Sequence, residues 1–320
     1  MAAHRSWIPI AAVALLLCAC GSATTSSEGS AAPPALSQSS ALTIAKAFFA
    51  ADNQAQQNLD TSKISQLEEG PEAIIDQAEY PTYLGHQKSL PAYTATQVAV
   101  VVPAHAATFP ETFIAEATLN TSSAGDHWLF LFLRDTAASP WRVSLEIDAA
   151  QSAYPQFALD AQGFGNQLDA ADQGQLQASA IEVADAFANY VSVPLFHMQA
   201  ASAPNLTFTA GANTSGYLGP LQSLFSQATQ SGGSTRGSIQ PDQGAWAYGL
   251  QGGGAAVFFD EQSNYIVQMG GTAEVQLSQG IDSSVDPGTY TGVTEMAENM
   301  GVAIVPAKGG GASISVPFAT

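Results

Sequence analysis

The sequence predicts an α+β protein of two domains, in which one or more N-terminal helices pack on a curved antiparallel sheet. Near the start of the chain, apolar residues recur at helical spacing in residues 41–58. From residue 94 the apolar period changes to two, which is typical of strands. The same order of helix and then strands returns after residue 178. Because no helical segments alternate with the strands, we do not expect a parallel α/β sheet.

The first half is predicted to be a helix followed by an antiparallel meander. Ser40 is a candidate N-cap, and Phe48 and Phe49 follow it at helical spacing. A shorter helix is predicted at residues 71–78, with Pro71 in the first turn, where proline is tolerated. The predicted strands of this half are residues 94–102, 111–119, 127–134 and 141–147.

The second half repeats this order of elements. Residues 184–187, Ala-Asp-Ala-Phe, echo Ala-Lys-Ala-Phe at residues 45–48 and belong to a predicted helix. Another helix is predicted at residues 218–230. The predicted strands are residues 245–250, 255–260, 265–269, 272–277, 303–305 and 313–316. The similarity is in the order of elements more than in the residues, so internal duplication is a hypothesis.

These patterns set the predicted domain boundaries. A segment rich in Ser, Thr, Ala, Gly and Pro precedes the first helix, and a connector rich in Gly, Asp and Gln separates the halves. The predicted segments are a signal peptide at 1–19, a flexible tether at 20–40, a first α+β domain at 41–157, a connector at 158–177 and a second α+β domain at 178–320.

The N-terminus has the organisation of a secretory signal. Arg5 gives a short basic start, and residues 8–17 form an apolar core interrupted only by Pro9. A helix of that length, at about 1.5 Å per residue, is too short to cross a hydrocarbon core of roughly 30 Å. We therefore expect a signal peptide that is removed by cleavage and not a permanent membrane helix.

The end of this signal resembles a bacterial lipoprotein box. Leu17, Cys18, Ala19 and Cys20 match its order of Leu, a tolerant position, a small residue and Cys. The resemblance implies that cleavage follows Ala19 and that the Cys20 thiol carries the lipid. The alternative is an ordinary secretory signal with a free cysteine nearby. Both cysteines of the chain lie in this segment, so the processed chain would have no thiol for a disulfide or for cysteine catalysis.

The acidic composition narrows the class of partner. The chain has 27 Asp and Glu against 8 Lys and Arg, which gives a formal charge of -19. Binding of nucleic acid needs clustered Lys and Arg, so we expect no nucleic-acid partner. Electrostatic adhesion to an anionic membrane surface is disfavoured for the same reason. A lipid on Cys20, and not charge, would hold the protein to the membrane.

The sequence matches none of the catalytic or metal-binding patterns considered below. The G-x-S-x-G elbow and the S-x-x-K pattern of serine enzymes are absent. The histidines at positions 86, 105, 127 and 197 show no H-x-H or H-E-x-x-H spacing. The glycine runs at 252–254 and 309–311 are interpreted as hairpin turns, and Asp282 and Asp286 lack a full calcium-loop pattern. We therefore predict no catalytic residue, no metal site and no cofactor.

Two aromatic rows mark where a pocket would lie if the protein has one. Trp128 and Phe130 alternate on one face of a predicted strand. Trp246 and Tyr248 have the same spacing in the second half. The simpler interpretation is that these side chains fill the core. In a ligand-binding protein we would expect these four residues to line the pocket.

Most of the chain resembles secreted lipoproteins of unknown function from high-GC Gram-positive (actinobacterial) bacteria. The resemblance rests on the lipobox, the low-complexity tether, the alanine-rich helix with its Phe residues, the aromatic strands at 127–134 and 141–147, and Pro287-Gly288-Thr289-Tyr290. The two halves are similar to nuclear-transport-factor-like or cystatin-like folds. Such folds host binding proteins, enzymes and interaction domains, so the fold alone does not assign a function.

We expect a lipid-anchored protein on the extracytoplasmic face of the cell membrane, with a non-enzymatic role in binding an envelope protein or a small ligand. One alternative is an enzyme whose cone-shaped pocket uses an Asp or Glu as general base, which requires a carboxyl group of raised pKa in the pocket. The other alternative is the solute-binding lipoprotein of an importer, although the sequence shows neither an alternating βα pattern nor a hinge.

Overall fold

The computed structural model describes most of both predicted halves. The described residues are 34, 36–86, 88–105, 109–120, 127–149, 155–196, 206–277, 288–311 and 313–319. The predicted signal peptide, with Ala19 and Cys20, and most of the predicted tether lie outside these residues. Asp282 and Asp286 lie outside them as well.

In the described part of the chain, helices precede the strands of the first sheet and all strands of the second sheet except a two-residue strand at Gln167–Leu168. The first group comprises α1 (Gln38–Asn58), α2 (Thr61–Leu67) and α3 (Gly70–Gly85). The second group comprises α4 (Ala180–Phe196) and α5 (Tyr217–Gln230), and a π-helical turn at Ala212–Gly216 leads into α5. The α+β class predicted from the sequence is confirmed.

The strands form two main antiparallel sheets and one small pair. The first sheet is a meander in the order β1-β2-β3-β4, and the second has the order β11-β10-β7-β6-β5, while β8 pairs with β9. The strands are β1 (Ala95–Val101), β2 (Glu111–Leu119), β3 (His127–Arg134), β4 (Arg142–Ala149), β5 (Gln167–Leu168), β6 (Ser234–Gly249), β7 (Ala255–Gln268), β8 (Val275–Leu277), β9 (Gly288–Tyr290), β10 (Gly292–Val305) and β11 (Ser315–Ala319).

The two sheets pack against each other, and each carries its helices on its other face. Successive side chains of β3 point to opposite faces of the first sheet. Leu129 and Leu131 belong to the core that this sheet shares with the second sheet. Phe130 and Phe132 point the opposite way, into the core beneath α1. Strand β7 behaves in the same way, with Phe258 in the core between the sheets and Phe259 beneath α4 and α5.

Local signals explain how α1 begins and ends. Ser37, three residues before the predicted N-cap, accepts a hydrogen bond from the Ser40 amide at 3.1 Å. The helix ends at Leu59, whose φ of 50° is in the left-handed region. Asp60 then caps α2 by accepting a hydrogen bond from the Lys63 amide. The chain therefore turns sharply between the two helices.

The strands of the second sheet are longer than the sequence pattern predicts. The predicted strands 255–260 and 265–269 are parts of the single strand β7, and β10 begins eleven residues before the predicted strand 303–305. The residues that interrupt the pattern in β7 are polar, yet Glu261 and Ser263 among them are buried. The glycine run 252–254 forms the turn between β6 and β7, as predicted, with φ values of 84°, 95° and 83°.

Both predicted halves belong to one compact unit that extends from Pro33 to Thr320. The core between the sheets takes Leu145 and Ile147 from the first half and Trp246 and Val302 from the second. The prediction that the halves are separate folding domains stays a prediction. Among the described helices, none has the length and apolar character needed to span a membrane.

Candidate functional site

A cavity of about 120 Å³ lies between the second sheet and its helices. Helix α4 and the region where the π-helical turn enters α5 form one side, and strands β7 and β10 form the other. The residues that line the cavity are Phe187, Asn213, Tyr217, Phe259, Glu261, Asn299, Met300 and Gly301. A mostly apolar pocket with a few convergent polar groups is the usual form of a small-molecule site.

Glu261 supplies the ionisable group of this pocket. It lies in β7 directly opposite Asn299 of β10 and Pro241 of β6, on the same face as Phe259. The residue is only 1 % exposed, and neither of its carboxyl oxygens has a hydrogen-bond partner among the described residues. Burial raises the pKa of Glu261 well above the usual value, and the adjacent Asp260 raises it further.

Three polar side chains form a chain of hydrogen bonds beside Glu261. The Tyr217 hydroxyl donates to Asn299 Oδ1 at 3.4 Å, and Asn299 Nδ2 donates to Ser263 Oγ at 3.0 Å. Burial raises the pKa of Tyr217, and the nearby Glu261 carboxyl adds to the effect. These contacts fix the orientation of the Asn299 amide and place the Tyr217 hydroxyl at the pocket.

Aromatic packing forms the apolar wall. The rings of Phe187 and Phe259 meet edge to face with centroids 5.2 Å apart. Gly301 lies opposite Phe259 in the sheet, and a Cβ atom at this glycine would come within 2.8 Å of the Phe259 ring. The absence of a side chain at Gly301 therefore leaves room for the Phe259 ring at the pocket wall.

This arrangement can do two things chemically. An unpartnered carboxyl group in an apolar pocket can anchor a ligand that brings its own N–H or O–H donor, because the buried oxygens lack bonds that water would otherwise supply. A carboxyl group of raised pKa can also accept or donate a proton near neutral pH. Tyr217 and Asn299 are the polar side chains placed to orient a bound molecule.

The aromatic residues predicted as pocket residues lie elsewhere. Phe130 packs against Phe48 and Phe49 of α1, and Trp128 lies at the edge of the same core. Trp246 and Tyr248 are buried in the core between the sheets. The Tyr248 hydroxyl is 2.5 Å from Thr112 Oγ1 of the first sheet. None of these four residues lines the Glu261 pocket, the cavity beside β1 or the cavity between α4 and α5.

Two other cavities lack a buried carboxyl group of this kind. A cavity of about 480 Å³ lies beside β1 and is lined in part by Glu116, His127 and Phe157. His127 Nδ1 is 3.2 Å from Thr118 Oγ1 there. Another, of about 330 Å³, lies between α4 and α5 beside Phe225. Neither of these two cavities is lined by a buried carboxyl group, so the Glu261 pocket is the better candidate.

Sequence reasoning missed the Glu261 pocket, although a signal was present. Residues 261–264 interrupt an otherwise apolar segment and suggested a break between two strands. A polar interruption without Gly or Pro is also compatible with a continuous strand that carries a functional group. The structure shows the continuous strand.

Comparison with known proteins gives one family. A model of DUF8094, described as a domain of unknown function, matches residues 32–316. No curated protein and no solved structure matches the chain. The matched segment begins inside the predicted tether and includes every described helix and the whole Glu261 pocket.

Proposed function

The chain belongs to the DUF8094 family, and we propose that it is a lipid-anchored, extracytoplasmic protein that binds a small ligand in the Glu261 pocket. The observation that carries the binding role is a carboxyl group that is 1 % exposed, faces a cavity and has both oxygens unpartnered among the described residues. Such a group is costly unless a ligand or a proton satisfies it.

The pocket chemistry indicates the ligand class. Its walls include Phe187, Phe259 and Met300, which suit a compact apolar body. Glu261 suits an N–H donor, and a primary or secondary ammonium group would both pair with the carboxylate and bond its oxygens. A cavity of about 120 Å³ limits the enclosed part of the ligand to a small molecule. We therefore propose a small organic amine.

A panel of small molecules tests the binding role. Small apolar amines, matched alcohols and matched carboxylic acids are added to the full chain, and the melting temperature is followed by circular dichroism. We expect amines to raise the melting temperature of the wild type, since a ligand that binds only the folded state stabilises it. Carboxylic acids should not, because they place a second acid beside Glu261.

Two matched variants make this test specific. Glu261→Gln removes the charge and keeps the size, and Glu274→Gln makes the same change at an exposed residue outside the pocket. The amine response should be lost in the first variant and kept in the second. An equal response in both variants, or a panel with no response from the wild type, would contradict the proposed pocket.

The proposed lipid anchor rests on the order Leu17, Cys18, Ala19 and Cys20 and on the resemblance to lipoproteins of high-GC Gram-positive bacteria. The family match starts at residue 32, so the predicted signal peptide and residues 20–31 of the predicted tether lie outside it. Mass spectrometry of the mature protein should find an acylated Cys20 at its N-terminus. Cys20→Ser should release the protein from membranes, whereas Cys18→Ser should stay anchored. A Cys20→Ser protein that remains membrane-bound contradicts the anchor.

The raised pKa of Glu261 favours a second candidate function, an enzyme in which this residue is the general base. The hydrogen-bonded pair of Tyr217 and Asn299 would orient the substrate. The test is to incubate each stabilising ligand with the protein and to follow the ligand by NMR. Conversion that stops in Glu261→Gln supports catalysis, and a ligand that remains unchanged supports the binding role.

A further inference from the structure

A second set of buried acids lies between the first helices and the first sheet, remote from the Glu261 pocket in sequence and outside its lining. We call it the acidic cluster. Its members are Asp52, Glu68, Glu72, Asp76 and Glu146. Four of them are 8 % exposed or less, and Glu146 is partly exposed.

Several elements bring these acids together. Asp52 lies on the buried face of α1, and Glu72 and Asp76 are four residues apart on α3, which places them on one helical face. Glu68 directly follows α2, and the chain there runs alongside β4, where the Glu69 amide donates to the Val143 carbonyl at 2.8 Å. This pairing holds Glu68 against the sheet.

The geometry of three of these acids is that of a shared ligand sphere. One carboxyl oxygen from each of Asp52, Glu68 and Asp76 lies within 4.8 Å of the others. Oxygens bound to one calcium ion, at 2.3–2.6 Å from the metal, are separated by about 5 Å or less. The three oxygens are therefore close enough to bind one ion with small side-chain movements.

Unpartnered oxygens provide an independent observation. Asp52 Oδ1 and Glu68 Oε2, on residues that are 1 % and 2 % exposed, receive no hydrogen bond from an N–H or hydroxyl donor in the described part of the chain. The two carboxyl groups lie close enough to share a proton when no cation is bound. The other Asp52 oxygen accepts from the Tyr93 hydroxyl at 2.6 Å and from Gln56 Nε2 at 3.2 Å. These two bonds orient Asp52 so that Oδ1 is left for another ligand.

The two arginines in the described residues of this half pair with acids outside the cluster. Arg134 pairs with Glu111, and Arg142 pairs with Glu69 at 2.8 Å and with Asp135 at 3.6 Å. A buried group of acids without a positive partner is costly unless protons or a cation bind to it.

We propose that the acidic cluster binds a calcium ion, with Asp52, Glu68 and Asp76 as ligands and Glu72 beside them. The donor set consists of carboxylate oxygens, which suit hard cations and not zinc or copper. Calcium accepts six to eight oxygens in flexible geometry, whereas magnesium is smaller and prefers to keep several waters. A buried group of carboxylates, with Asp52 on α1, Asp76 on α3 and Glu68 directly after α2, therefore favours calcium.

The direct test is calcium binding by the full chain after purification with EDTA. Calorimetry should detect binding of CaCl₂, and about 5 mM calcium should raise the melting temperature by roughly 5 °C or more. Magnesium at the same concentration should give less than half of that shift. Glu261→Gln should respond to calcium like the wild type, because its pocket shares no residue with the cluster.

Isosteric variants assign the site. Asp52→Asn should weaken calcium binding at least tenfold, whereas Asp185→Asn, an exposed acid on α4, should bind as the wild type does. Glu68→Gln decides the same question if Asp52→Asn does not fold. The proposed site would be overturned if the wild type does not bind calcium. It would also be overturned if Asp52→Asn and Glu68→Gln both bind calcium as the wild type does. A magnesium shift equal to that of calcium would overturn the assignment to calcium.

Discussion

Glu261 combines nearly complete burial with two unpartnered carboxyl oxygens in the described structure, a combination that lowers the stability of the ligand-free protein. Glu261→Leu keeps a similar volume and removes the polar group. We expect this variant to be more stable than the wild type by about 1–3 kcal/mol and to lose its response to amines. Urea unfolding measures the stability, and Glu274→Leu, at an exposed residue, should change it by less than about 0.5 kcal/mol. A less stable Glu261→Leu would show that the carboxyl group is satisfied without a ligand.

Asp52 and Asp76 make the stability of the calcium-free protein depend on pH. Their pKa values are raised from 3.8 to about 6 and about 7, so the folded state holds their protons more tightly than the unfolded state. This contribution is complete below pH 3.8 and is lost as the pH rises through 6 and 7. In EDTA, the free energy of unfolding should therefore fall over this window.

Asp52→Asn isolates this effect from that of other titrating groups. Glu68, Glu146 and the Tyr93 hydroxyl face Asp52, and all remain in the variant. Urea unfolding in EDTA measures the free energy of unfolding at about pH 5 and at about pH 8. The loss of free energy between these two pH values should be smaller in Asp52→Asn than in the wild type, by about 1–3 kcal/mol. Parallel pH profiles of the two proteins would contradict the raised pKa.

At the scale of elements, α1 is fixed to the first sheet by aromatic contacts. The Phe48 ring meets Phe132 edge to face at 5.4 Å and Phe130 at 6.1 Å. Phe48→Ala should cost about 3–5 kcal/mol, because it leaves a cavity beneath the helix. Lys46→Ala, at an exposed position of the same helix, should change stability by less than about 0.5 kcal/mol in the same urea titration. A small effect of Phe48→Ala would show that α1 is loosely packed.

How well the sequence predicts each element depends on the regularity of its pattern. Strands β2 and β3 are predicted with their observed bounds. Their successive side chains point to opposite faces of the sheet, and a hydrophobic core lies on each face. Helix α3 is longer than predicted, since Pro81 lies inside it. The sequence pattern predicts two strands where the structure has the single strand β7, since buried Glu261 and its polar neighbours interrupt the apolar pattern.

Neither candidate site could be found from local spacing. The Glu261 pocket joins residues of α4, α5, β7 and β10, and the acidic cluster joins three helices and β4. Searches for His spacing and calcium loops detect ligands that are close in sequence. The ligands proposed here, Asp52, Glu68 and Asp76, come together only when the helices pack.

At the scale of the whole molecule, the two sheets share a core and a polar contact. Tyr248 of the second sheet is fully buried, and its hydroxyl lies 2.5 Å from Thr112 of the first. A shared core favours unfolding in a single transition. We expect circular dichroism and tryptophan fluorescence to report the same urea midpoint, because Trp128 and Trp246 lie in different sheets. Two separate midpoints would favour the prediction of two separately folding domains.

Calorimetry measures whether Glu261 anchors a small amine in the pocket between the second sheet and its helices. The amine that gives the largest thermal shift is titrated into the wild type and into Glu261→Gln. We predict saturable binding at one site per chain in the wild type and an affinity lower by at least tenfold in the variant. Equal affinities, or no binding to the wild type, would contradict this role of Glu261.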